Sequence, residues 1–115
     1  MNKTLSTFVD DELRAAAATE RAGALPTAWR HLERAHIISQ AYAWPHTRVH
    51  LHMLAFGWRR RDVREVLGQI TRTLGGGIAS LLGRAPLGNT GGARVGVFTP
   101  MPIPDDLAAV LEQAG

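Results

Sequence analysis

Helix breakers are segregated along this chain. Eight of its twelve glycines and four of its six prolines lie between Leu74 and Pro104. In a helix interior glycine costs about 1 kcal/mol and proline about 3 kcal/mol relative to alanine. The first 74 residues can therefore be largely helical, and the stretch that follows cannot be one continuous helix. With 115 residues there is room for one domain. The expectation is a single all-α domain over 1–115. Its helical body covers about 7–74, a Gly/Pro-rich segment covers 75–104, and a terminal helix covers about 105–113.

Within the body Gly23, Pro26 and Pro45 fall at helix ends. A first helix is expected from about Thr7 to Ala22, rich in alanine from Ala15 to Ala18 and closed by Gly23. A second runs from about Pro26 to Gln40, with Ala28, Leu32, Ala35 and Ser39 as one stripe of small and apolar residues. A third runs from about Pro45 to Trp58, with Val49, Met53 and Phe56 on one face. A fourth starts after Asp62, which with Glu65 has the spacing of a capping box. Val63, Val66, Leu67, Ile70 and Leu74 give that helix an apolar stripe expected to face the core. Short connections make sequential helices antiparallel, so the body reads as two helical hairpins.

Beyond Leu74 the pattern changes. Val95, Val97, Phe98 and Thr99 favour extended backbone. Pro100-Met101-Pro102-Ile103-Pro104 must be extended as well, because each proline fixes its own φ and disfavours helix before it. This forms an apolar strap. Asp105 is placed to cap the last helix, and Leu107, Val110 and Leu111 dock it on the body.

Composition removes several classes of function. The chain is 45% apolar and 20% charged, as in folded proteins rather than disordered tails. It has no cysteine, which excludes a disulfide framework, a thiol nucleophile and a thiolate metal site. Thirteen basic and ten acidic residues give +3, a modest charge for a nucleic-acid partner. Asp10, Asp11 and Glu12 interrupt the place where a leader's apolar stretch would fall, and no run approaches the ~20 apolar residues of a membrane span. A cytoplasmic protein is expected.

The chemical clue is histidine. His31, His36, His46, His50 and His52 are all the histidines of the chain. His46 and His50 are four apart and share a helix face. His50 and His52 are about 200° apart, and His31 and His36 about 140°, so neither pair shares a metal on a regular helix. Folding the second helix against the third about Ala43 brings His36 level with His50, and Gln40 level with His46. The candidate metal set is therefore His36, His46 and His50, with His31 or Glu33 as outer contributors. Neutral imidazoles of this kind suit zinc, copper or nickel. The same histidines could instead pack across the hairpin near Trp44 and Trp58 with no metal. There is no His-Glu-x-x-His motif, since Thr47, Arg48 and Val49 separate His46 from His50.

Two further features point to surfaces. Arg59, Arg60, Arg61 and Arg64 form a basic run that could meet an anion or a partner, though Asp62 and Glu65 accompany it. Gly88-Asn89-Thr90-Gly91-Gly92 could present backbone N–H groups to an anion, but it lacks the Gly-Lys-Ser/Thr ending of a phosphate loop. No hydroxyl sits in a nucleophile elbow, so the pattern leans away from an enzyme.

The first pair of helices, with its Ala22-Gly23-Ala24-Leu25 turn and the run Ala28 to Ala35, resembles a tetratricopeptide-type helical hairpin. Several blocks together resemble one bacterial family, the domain-of-unknown-function family numbered 3703. They are His31 to Ile38, His46 to His50, Gly57 to Asp62, Gly88 to Gly92 and Pro100 to Pro104. That resemblance spans about Leu13 to Leu111 and implies small stand-alone bacterial proteins without an assigned activity. The leading expectation is a helical binding or interaction module, with a protein partner or a second copy of itself. Nucleic acid is disfavoured, and peripheral membrane contact stays open. The alternative is a histidine-based metal-binding protein, and after it a metal-dependent hydrolase.

Overall fold

The computed structural model describes residues 1–81 and 100–114, with side chains through Thr73 and again from Pro100. The described residues form five helices and no strand. They are α1 (Lys3–Arg21), α2 (Leu25–Ser39), α3 (Ala43–Arg59), α4 (Val63–Leu81) and α5 (Asp105–Ala114). α1 packs along α2, and α3 along α4. The smaller α2–α3 contact joins these two hairpins, and α5 closes against α1 and α2. None of these helices is long and apolar enough to cross a membrane.

The helix ends follow from their residues. Asn2 caps α1, its Oδ1 accepting from the Leu5 N–H at 2.9 Å. Gly23 closes α1 with φ +81°, while its N–H donates to the Glu20 carbonyl and that of Ala24 to the Thr19 carbonyl. This pair of bonds is the Schellman closure, which needs a left-handed residue. α3 ends in the same way, with N–H groups of Arg61 and Asp62 on the carbonyls of Trp58 and Gly57. Here the left-handed position is Arg61, at φ 56°. Asp62 then caps α4, accepting from the Glu65 N–H at 3.1 Å.

The first hairpin buries what its periodicity marks. Leu5, Val9, Leu13 and Ala16 of α1 meet Ala28, Leu32, Ala35 and Ile38 of α2, all within the core. α3 adds Val49, Met53 and Phe56, and Trp29 packs its ring 5.4 Å from that of Phe56. The C-terminal helix docks as expected. Leu107 is fully buried, Ile103, Val110 and Leu111 lie against the core, and Arg34 Nη1 sits 2.7 Å from Asp106. Pro104, rather than Asp105, is the residue before α5, its carbonyl accepting from the Ala108 N–H.

Three expectations are corrected. α4 does not stop at Leu74 but runs through Gly75, Gly76 and Gly77 to Leu81. The apolar positions 67, 70, 74, 78 and 81 keep helical phase across the glycines, so the glycine-rich segment begins later than 75. The stripe expected to face the core is turned outward, with Val63 69% and Leu67 61% exposed. Trp44 and Trp58, near which the histidines could have packed without a metal, are exposed as well. Most of the strap, including Val95 to Thr99 and the Gly88–Gly92 turn, lies outside the described residues.

Candidate metal centre

α4 faces the interior with its polar side. Glu65, Gln69 and Arg72 stand at i, i+4 and i+7, one helix face, and all three are buried. Close approach at Gly57 sets this orientation. A Cβ there would meet the Glu65 Cβ at 3.3 Å, so the missing side chain lets α4 lie tightly on α3. The buried polar stripe thus comes to rest over the middle of α3, where His50 lies.

The structure brings His36, His46 and His50 together, as the hairpin register expects. His36 comes from α2; His46 and His50 come from one face of α3. All three are at least 95% buried. Their Nε2 atoms form a triangle, with edges of 2.8 Å (His36–His46), 3.0 Å (His46–His50) and 3.2 Å (His36–His50). The rings stand edge-on or tilted to one another, so that the three nitrogens converge rather than stack.

Hydrogen bonding sets the protonation of one corner. Gln69 Nε2 donates to Glu65 Oε2 at 2.9 Å, which turns the Gln69 carbonyl oxygen toward His50. That oxygen lies 2.6 Å from His50 Nδ1 and can only accept. His50 therefore carries its proton on Nδ1 and presents the Nε2 lone pair to the triangle. Burial pushes the His50 imidazole down to about 4, the Arg72 charge acts in the same direction, and the Gln69 bond opposes both. His50 is neutral at pH 7.

Three neutral imidazoles cannot satisfy such a triangle by themselves. Each Nε2 is either an N–H or a lone pair. With two kinds of corner and three corners, at least one edge pairs like with like. A cation on the triangle's axis removes this conflict, because every corner then offers a lone pair to it. For Zn–N bonds of 2.0–2.1 Å, tetrahedral ligands stand about 3.3 Å apart. The edges here are a few tenths of an ångström shorter, a gap that small ring movements close.

The other expected residues lie elsewhere or do not converge on this point. Among the described residues the converging group is these three histidines, without His31 or Glu33. His31 Nδ1 is 2.5 Å from Glu12 Oε2, while Arg34 donates to the other oxygen of Glu12. Glu33 is half-buried on α2, one turn before His36. His52 is exposed on α3. In the basic run, Arg59 holds Glu20 through two hydrogen bonds of 2.7 and 2.8 Å and keeps its carboxyl below the usual range. Arg60 lies 3.6 Å from the same carboxylate, and Arg61 and Arg64 are exposed.

Sequence reasoning missed Glu65, Gln69 and Arg72. Glu65 has the place of a capping-box residue, yet its carboxylate turns inward to Gln69. The available signal was the i, i+4, i+7 polar stripe itself, opposite an apolar stripe of equal length. Neither a curated protein nor a solved structure matches the chain. The family described as "Protein of unknown function (DUF3703)" matches residues 3–111. With that match spanning nearly its whole length, the chain belongs to this family of proteins of unknown function.

Proposed function

We propose that the protein is a metal-binding protein, with His36 Nε2, His46 Nε2 and His50 Nε2 as the protein ligands of one ion. The observation that carries this reading is the buried triangle of nitrogens, with edges of 2.8–3.2 Å. Imidazole nitrogens suit zinc, copper and nickel. Gln69, itself held by Glu65, is the outer hydrogen-bonding partner that holds the tautomer of His50.

The test uses protein without a histidine tag, stripped with a chelator and offered one equivalent of Zn²⁺, Cu²⁺ or Ni²⁺. Native mass spectrometry is expected to show a 1:1 complex, with a raised melting temperature. His46→Ala is expected to lose the ion, while His52→Ala retains it. Wild-type protein that retains none of these metals contradicts the reading.

A second reading, an interaction module that pairs with a second copy of itself, has its own support. Leu51, Leu54, Ala55 and Trp58 of α3 and Val66 and Ile70 of α4 line an apolar surface groove. Leu51, Trp58 and Ile70 are exposed there, and apolar side chains gathered in one groove suit an association surface. The resemblance of the first hairpin's sequence to a tetratricopeptide-type hairpin suits such a module. Sedimentation over a range of concentrations tests it, and a monomer at all of them overturns it.

A further inference from the structure

Charge decides what else the histidine centre must hold. Ligating imidazoles are neutral, so the three histidines contribute nothing against the charge of an ion. One carboxylate is linked to them through hydrogen bonds: Glu65, reached from His50 through Gln69. Arg72, only 8% exposed, stands on the same face of α4 and feels the Glu65 charge. Arg72 thus offsets the Glu65 charge.

Among the described residues no carboxylate joins the converging group. Glu12 is held by His31 and Arg34, and Glu20 by Arg59. Residues 82–99 contain no Asp, Glu, His or Cys. A divalent ion on three neutral ligands would thus bring two uncompensated positive charges into a buried site. The desolvation of such charge costs several kcal/mol per ion even after relaxation.

Three ligands occupy one face of a coordination tetrahedron and leave its fourth vertex to something else. We infer that the centre holds a divalent ion together with one small exogenous anion, of the hydroxide, halide or azide class, as its fourth ligand. This rests on the metal-binding reading above and adds to it the chemical class of the exchangeable ligand. Zinc on three neutral imidazoles is known chemistry of this kind, because the ion lowers the pKa of bound water to near 7 and so generates its own anion.

The test loads the full chain with Co²⁺ in halide-free buffer and follows its visible absorption during titration with sodium azide and then sodium thiocyanate. The expected result is a saturable change of the cobalt bands with one anion per cobalt. A 1:1 cobalt protein whose bands are unmoved by either anion overturns the inference and leaves the metal reading standing. Uptake of one Cu⁺ with refusal of Zn²⁺ and Co²⁺ overturns it too, because a monovalent ion on neutral ligands needs no anion. Uptake of no metal in any form overturns both.

Discussion

The first hairpin and α4, the outer helix of the second, are both amphipathic and bury opposite stripes. In the α1–α2 hairpin the helical stripes of Leu, Val, Ile and Ala face inward, as periodicity directs. In α4 the inward stripe is Glu65, Gln69 and Arg72, and the outward one is Val63, Leu67 and Ile70. Burying polar groups costs free energy unless they are hydrogen-bonded. Exposing Leu and Val forgoes roughly 1.5–3 kcal/mol per fully buried side chain. A helix that does both at once is serving something other than its own packing. The polar stripe supports the histidine triangle, and the apolar stripe faces outward beside the α3 groove. The apolar core is built by the first hairpin, α5 and the Val49, Met53 and Phe56 face of α3, without the apolar stripe of α4.

The sharpest way to break this comparison is to damage each half in turn. Ile38→Ala removes a fully buried side chain where α2 meets the core. It is expected to cost about 2–5 kcal/mol in denaturant unfolding. A loss below 1 kcal/mol would mean that the first hairpin is not the stabilising half.

The second test is pH, on metal-free protein. The His50 imidazole lies at about 4 in the fold, against 6.5 when exposed. Between these values the unfolded chain binds a proton that the folded chain refuses. Stability therefore falls as pH drops from 6.5 toward 4 and levels off below, by about 3 kcal/mol from this group. His50→Gln is expected to flatten that limb of the stability profile. An unchanged slope in His50→Gln would show that another group carries it.

A smaller contrast separates the two hairpin turns. Gly23 takes the left-handed cap of α1 without strain, whereas Arg61 takes the same position after α3. Arg61→Gly is expected to raise stability by about 1 kcal/mol, read as a higher melting temperature. Destabilisation would mean that the Arg61 side chain makes a contact that outweighs its backbone cost. Smallest of all should be Leu67→Gln on the outward stripe, within about 0.5 kcal/mol for the monomer. A larger loss at high protein concentration only would mark that stripe as a self-association surface.

Much of this architecture is legible in the residues. Alanine-rich stripes, Gly23 and Asp62 mark the helices and their ends, because in the first hairpin local propensity and tertiary packing agree. His36, His46 and His50 are also legible as a set, since hairpin register alone brings 36 opposite 50. The orientation of α4 is not legible. Its apolar stripe has the clean period of a buried face, and periodicity says which residues share a face without saying which way it turns. Glu65 was hidden for a related reason: its place three residues after Asp62 has a complete local explanation at the helix start. The passage of α4 through three glycines ran against propensity, where the continuing apolar phase prevailed.

The most direct measurement is X-ray absorption on the zinc-loaded protein. The account predicts scattering from three imidazole rings, with Zn–N distances of about 2.0–2.1 Å and one further light-atom ligand. The imidazole signal should weaken in His46→Ala. A zinc ion bound with one imidazole or none, or surrounded mainly by carboxylate oxygen, would contradict the claim that the buried triangle of His36, His46 and His50 is a metal centre.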